Sequence, residues 1–171
     1  MNIKKYIKDI PDFPTEGIVF KDISPLLNDV DAFRYVIHTI TNRYQGNKKP
    51  NKVVGMDARG FIFGSAVAFH LAVPFVMVRK AGKLPGDCIS INYDLEYGSN
   101  TFEIQEDAID ENDRCLIVDD LLATGGSAKA VGELINQLGG TITALECVVE
   151  LQFLNGKDVL NFPVRSQAKY E

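Results

Sequence analysis

The chain reads as an α/β protein: an open, mainly parallel, twisted sheet flanked by helices. Three observations point to it. Apolar runs of the kind that fill strands buried on both faces occur at residues 52–56, 74–78, 115–118 and 141–151. Stretches with apolar residues at helical spacing lie between them. A glycine turn joins one of the strands directly to the helix that follows.

Residues 1–28 cannot belong to the sheet and are too few to hold a core of their own. Residues 29–45 read as a helix, with Val30, Phe33, Val36, Ile37, Ile40 and Tyr44 on one face and Gly46 as its stop. A strand at 52–56, a helix at 61–71 and a strand at 74–78 make a βαβ unit. Gly82, Pro85, Gly86 and Gly98 then break the rhythm. Alternating runs at 89–93 and 101–105 give a two-stranded excursion, read as a mobile flap over 79–106. Residues 107–113 form an acidic surface loop. The strand at 115–118 leads into a helix marked by Ala128, Val131, Leu134, Ile135 and Leu138, and 141–151 is a further strand. Residues 152–171 read as an irregular tail, with Asn155-Gly156 as a turn. The 171 residues suit one domain, whose α/β core spans 29–151.

A net charge of −5 and a pI near 5.1 argue against a nucleic-acid surface, since no basic run exceeds Lys48-Lys49 or Arg79-Lys80. The three cysteines, Cys88, Cys115 and Cys147, lack metal-ligand spacing, and two sit in apolar runs as small buried hydrophobes. His38 and His70 lie in helical stretches without a partner at metal-ligand spacing. The first residues lack the apolar stretch of a signal peptide, and no segment is long enough to cross a bilayer, so a cytoplasmic protein without membrane association is expected.

The most informative run is Cys115-Leu-Ile-Val-Asp-Asp-Leu-Leu-Ala-Thr-Gly-Gly-Ser127. Gly125 and Gly126 let a ligand approach the backbone. The free N–H groups of the helix start, with the hydroxyls of Thr124 and Ser127, can converge on one anion. Each charge-assisted hydrogen bond contributes roughly 1.5–3 kcal/mol, so several aimed at one phosphate anchor it without a lysine. Asp119 and Asp120, at the carboxyl end of the strand, suit the vicinal hydroxyls of a sugar. A bare Asp-Asp is ordinary turn and capping chemistry, and it is the whole run that argues for a phosphorylated sugar. Neither the Walker pattern nor the dinucleotide fingerprint occurs, which disfavours an ATPase or a dehydrogenase.

Residues 118–127 closely resemble the phosphoribosyl-pyrophosphate motif of type I phosphoribosyltransferases, in the form carried by the adenine-specific members. Residues 11–25, Gly55-Met-Asp-Ala-Arg-Gly-Phe61, Arg79-Lys-Ala-Gly-Lys-Leu-Pro-Gly86 and Leu95-Glu-Tyr-Gly98 are similar to segments of the same family, in the same order. The resemblance implies magnesium-dependent conversion of adenine and 5-phosphoribosyl-1-pyrophosphate to AMP and pyrophosphate, a step of purine salvage. It also implies a homodimer, and residues 1–28 folded over the site as a hood.

It further implies roles for individual residues. Ala123, Thr124, Gly125, Gly126 and Ser127 would take the 5′-phosphate. Asp119 and Asp120 would take the ribose hydroxyls and favour positive charge at the anomeric carbon; magnesium would be held mainly by the substrate, with Asp119 or Asp120 reached through water. Asp57, Ala58 and Arg59 would bind pyrophosphate, with a cis peptide at Asp57-Ala58. An arginine at a helix start is electrostatically misplaced unless an anion comes there. Arg79, Lys80, Lys83 and Tyr97 would add pyrophosphate contacts. Without the resemblance the basic residues among these read as a solvated loop, and Ala81 stands where some members carry another arginine, which leaves a cross-subunit contact open. Glu96, otherwise a hairpin surface charge, would manage the purine's proton beneath the flap.

Phe20 and Leu121 would sandwich the purine while backbone groups of Val19 and Lys21 read its amino edge. A 6-oxopurine presents the reverse donor and acceptor pattern and leaves buried groups unpaired at about 1–3 kcal/mol each. The nearest rivals are a transferase for another base and a regulator that only senses the sugar substrate; the chain carries no basic DNA-binding segment.

Overall fold

The computed structural model describes residues 1–94 and 99–171. A short ribbon opens the chain, with β1 (Lys8–Ile10) antiparallel to β2 (Phe20–Asp22). Helix α1 (Ser24–Leu27) follows, and α2 (Val30–Thr41) begins where the Asp29 carboxylate accepts a hydrogen bond from the Ala32 amide at 2.8 Å. Strand β3 (Lys52–Met56), helix α3 (Gly60–Leu71) and strand β4 (Phe75–Lys80) then form the βαβ unit, with β3 and β4 parallel. Next come β5 (Cys88–Asp94), β6 (Ser99–Gln105), β7 (Arg114–Leu122), α4 (Gly126–Gln137), β8 (Thr141–Leu151) and β9 (Val164–Tyr170).

The main sheet has the order β5-β6-β4-β3-β7-β8-β9. Its strands from β4 to β9 run parallel, and the β5–β6 hairpin adds antiparallel beyond β4. Alternation along β7 explains the two-layered core. Leu116 and Val118 join Val36, Ile40, Phe63 and Val67 on the side of α2 and α3, while Cys115 and Ile117 join Val131, Leu134 and Ile135 of α4 on the other. Burying each such aliphatic side chain contributes about 1.5–3 kcal/mol, which fixes the register of β7 and hence what stands at its end.

The first 28 residues are not a detached flap, because Ile3, Ile7, Ile23 and Leu26 are buried in the α2–α3 cluster. Lys21 is buried too. Its ammonium lies 2.7 Å from Asp9 and 4.0 Å from the centre of the Tyr170 ring, tying the hood to β9.

Four readings of the sequence need correction. The tail is not irregular. After two 3₁₀ turns it forms β9, an edge strand in which Val164, Ser166, Ala168 and Tyr170 alternate with Arg165, Gln167 and Lys169; only Ala168 is buried, so the period is written in small and polar residues. Helix α2 stops at Thr41, and Tyr44 is buried from the turn beyond it. Val30 is 69% exposed, since Ala32 takes the inward place at the start of α2. Asp113 is buried rather than part of a surface loop, held by Lys52 at 2.7 Å and the Asn51 amide at 2.9 Å. His38 and His70 meet edge to face at 4.7 Å across α2 and α3. Among the described residues no helix is long and apolar enough to cross a membrane.

Beneath the sheet's α2 side, Glu146 of β8 is fully buried, accepting from Tyr44 Oη at 2.8 Å and pairing with Arg43 at 2.5 Å. Burial raises the Glu146 carboxyl above its usual range, and the Tyr44 and Arg43 contacts oppose that rise. Glu146→Ala removes both contacts and leaves a buried Tyr44 hydroxyl unpaired. It is expected to lower unfolding free energy by roughly 2–4 kcal/mol, read as a reduced urea midpoint at unchanged slope; an unshifted midpoint would show that the network carries no net stability.

Candidate active site

The site forms where the central parallel strands end. Strand β7 runs further than its apolar core, so Asp119 and Asp120 lie within it, paired alongside β8 up to Leu122 and Glu150. The chain then turns through Ala123 and Thr124 into Gly125, which adopts φ +85 and precedes the first residue of α4. No side chain caps that helix start. Its first N–H groups therefore face a cavity of about 190 Å³, lined by Asp119, Leu121 and every residue from Ala123 to Ser127. The arrangement is a helix-start anion cradle with a carboxylate beside it.

Opposite, the turn from β3 to α3 brings in Arg59. The peptide between Asp57 and Ala58 is cis. Gly60 lets the start of α3 lie directly against β7, since a Cβ there would come within 2.8 Å of Asp119 Oδ1 and 3.0 Å of the Val118 carbonyl. Arg59 Nε stands 3.0 Å from Asp120 Oδ2, and its guanidinium lies 5.0 Å from the centre of the Phe20 ring. One side chain thus touches both the hood and the acidic pair. The approach to Asp120 lacks hydrogen-bond geometry, and among the described residues Asp120 Oδ2 is buried without a hydrogen bond. A ligand hydroxyl or water would satisfy it.

Electrostatically the acidic pair is the unusual feature. Burial, then the adjacent charge of Asp120, raises the Asp119 carboxyl well above the usual range, although the side chain is partly accessible from the cavity it lines. Burial also raises Asp120, and Arg59 pulls it down. The Asp120 amide donates to Asp119 Oδ1 at 2.9 Å. The two carboxyls titrate as one unit, because ionising the second places a like charge beside the first.

A second cationic group converges on Asp57. Arg79 Nε lies 3.2 Å and Lys83 Nζ 3.6 Å from Asp57 Oδ2, and Arg79 also donates to the Lys83 carbonyl at 3.2 Å. Asp57 therefore arranges these cations, a contact that residue type alone did not reveal. Lys80 is exposed, and among the described residues it makes no ion pair. In the hood, Phe20 packs edge to face on Phe13 at 5.1 Å, Val19 is half exposed and the Lys21 side chain is buried. Glu96 and Tyr97 lie outside the described residues. No group of three or more His, Cys, Asp or Glu suited to a metal occurs among the described residues.

The wall behind the turn at 123–127 was missed from sequence: Gly156 and Val159 press on Gly125 from the turn after β8. The Asn155-Gly156 turn signalled a change of direction but not what it touches.

The profile of the phosphoribosyl transferase domain matches residues 25–154. An adenine phosphoribosyltransferase of Mycoplasma mobile is 50% identical over 98% of this chain and 96% of its own length. The crystal structure of the Thermoanaerobacter pseudethanolicus adenine phosphoribosyltransferase superposes with a TM-score of 0.93 at 44% identity, covering 98% of each chain. That of the Saccharomyces cerevisiae enzyme, solved with an imino-altritol bisphosphate and adenine, superposes with a TM-score of 0.93 at 43% identity over 96% of each chain. Fold, cradle and likeness over nearly the full length agree, and the chain belongs to the phosphoribosyl transferase family, among its adenine phosphoribosyltransferases.

Proposed function

We propose that the chain transfers the 5-phosphoribosyl group of 5-phosphoribosyl-1-pyrophosphate to adenine, releasing pyrophosphate and forming AMP in purine salvage, as one catalytic domain. The observation that carries this reading is the juxtaposition of Asp119 and Asp120, the uncapped cradle at 123–127 and Arg59 across from them. The adenine bound to the yeast relative supports the choice of base.

In this reading the cradle amides and the Thr124 and Ser127 hydroxyls hold the 5′-phosphate. Ribose hydroxyls donate to Asp119 and Asp120, filling the unpaired Oδ2 and keeping both carboxyls ionised. Their charge then stabilises the cationic anomeric carbon as its bond to pyrophosphate lengthens. Arg59 leaves Asp120 for the leaving group, and its forked guanidinium suits two phosphate oxygens. Arg79 and Lys83, pre-arranged on Asp57, and Lys80 complete the cationic side. Phe20 and Leu121 flank the adenine ring, Val19 and Lys21 backbone groups read its amino edge, and the sequence assigns Glu96 to the purine's proton and Tyr97 to the pyrophosphate. Magnesium fits the same place: two adjacent carboxylates are hard oxygen donors, and Asp119 or Asp120 would meet the ion through water while substrate oxygens supply the rest. When bound, it would neutralise charge on the pyrophosphate.

A homodimer belongs to this proposal. Helix α3 buries Phe63, Val67 and Leu71 yet presents Phe69 at 88% and Ile62 at 40% exposure on its outer side, an apolar surface suited to a second copy. A cytoplasmic setting accords with three free cysteines, two of them buried. Sedimentation at assay concentration is expected to give twice the chain mass; a fully active monomer would remove the dimer from the reading.

The direct test offers adenine, hypoxanthine, guanine, xanthine and orotate separately with the sugar substrate and magnesium. AMP from adenine alone is expected. Nucleotide from another base would relocate the substrate, and binding of the sugar substrate without turnover would make the chain a sensor.

The acidic pair gives a pH prediction. Arg59 lowers the Asp120 carboxyl against the effect of burial, so Arg59→Ala should raise it further. If ribose binding needs the carboxylates, affinity for the sugar substrate is lost as pH falls, and in Arg59→Ala that loss begins at higher pH. Arg59→Lys, which keeps the charge, should shift the acid limb less. Coincident acid limbs in all three proteins would separate Arg59 from Asp120.

A further inference from the structure

We infer that Gly156 is a positioning residue for the 5′-phosphate loop, and that the turn carrying it, beyond the stretch matched by the family profile, sets the loop's backbone from behind. The inference rests on the reading of residues 123–127 as the phosphate cradle.

Gly156 is buried and does not line the cavity; it meets the cradle on the opposite side. The contact is backbone on backbone and reciprocal. A Cβ at Gly156 would lie 2.0 Å from the Ala123 carbonyl oxygen and 3.0 Å from the Gly125 nitrogen. A Cβ at Gly125 would lie 2.2 Å from the Gly156 carbonyl oxygen and 2.7 Å from Val159 Cγ2. Neither position has room for a side chain, and neither loop can advance on the other.

The turn is itself held at both ends. On one side it follows β8 through the 3₁₀ turn Gln152–Leu154, with Asn155 at φ 52 reversing the chain and its amide donating to Gln152 O at 2.9 Å. On the other, Leu160 and Phe162 pack on the α4 side of the core, and Phe162 approaches Gly132 so closely that a Cβ there would stand 2.7 Å from its ring. Amides that bind an anion must be aimed before it arrives, because each hydrogen bond depends on angle as well as distance. With no side chain capping α4, this wall is what stands behind the loop at Ala123 and Gly125.

The test measures dissociation constants for ribose 5-phosphate and for adenine on the full chain, in wild type, Gly156→Ala, Val159→Ala and Ser127→Ala. Gly156→Ala should weaken ribose 5-phosphate by roughly tenfold or more, the equivalent of one charge-assisted hydrogen bond, and leave adenine within about twofold. Equal weakening of both ligands, or of neither, overturns the inference. If Gly156→Ala does not fold, Val159→Ala decides: it loosens the same wall without a clash, at a half-exposed position, and should weaken ribose 5-phosphate alone by about two- to fivefold. No change there overturns the inference. Ser127→Ala separates the two layers of argument. If it weakens ribose 5-phosphate while the wall variants do not, only the positioning role fails; if it has no effect, the cradle reading fails and the inference with it.

Discussion

Two adjacent carboxylates at the end of a buried strand are an electrostatic liability, and the surrounding structure is organised around holding them. Desolvation and mutual repulsion both oppose their ionisation. What makes the position tenable is supplied by three separate pieces of chain: β7, the turn from β3 into α3, and the hood. The register of β7 puts Asp119 and Asp120 there, Gly60 brings the start of α3 against them, Arg59 provides the counter-charge, and Phe20 of the hood backs that arginine. Asp120 still keeps one oxygen unsatisfied. A ligand that brought hydroxyls to this place would relieve a cost already present in the folded protein, so binding energy can be concentrated there.

A second pattern concerns how cations are handled. Apart from Lys80, the basic side chains near the site are paired with acids. Arg59 leans on Asp120, and Arg79 and Lys83 lean on Asp57, whose own carboxylate is almost wholly buried. Each acid fixes a cation beside the site, so less side-chain freedom would be lost if an anion bound there. The pairs on Asp57 contribute little to folding through their partly exposed cations, whereas Arg59 also offsets the buried charge of Asp120.

How much of this could be read from the sequence depends on whether the signal was local. Strands β3 and β8 fall where their apolar runs place them, because burial on both faces leaves few alternatives. The cradle was legible because glycines, hydroxyls and acids in one run declare their chemistry by type. Strand β9 was hidden, since an edge strand needs only one buried residue and its alternation was carried by Ser166 and Ala168 beside charged neighbours. The end of α2 was hidden because Tyr44 keeps the helical phase of its apolar face while taking its place in the core from a turn. The clamp on Asp57 and the wall at Gly156 join residues distant in sequence, and nothing in either segment alone names its partner.

The clasp of Lys21 on Tyr170 ties the hood to the outermost parallel strand across nearly the whole length of the chain. Closing so long a loop costs entropy, and that cost is smaller once pairing of β8 with β9 has brought Tyr170 into place. Strand β9 is paired on one side only and lies next to the last residue, where fraying costs least. Opening of β9 would free Lys21 from Tyr170, while Ile3, Ile7, Ile23 and Leu26 still root the hood in the α2–α3 core and Asp119 and Asp120 stay in the middle of the sheet. Lys21 is therefore a point at which the hood, otherwise rooted in the core, is tied to the margin of the sheet.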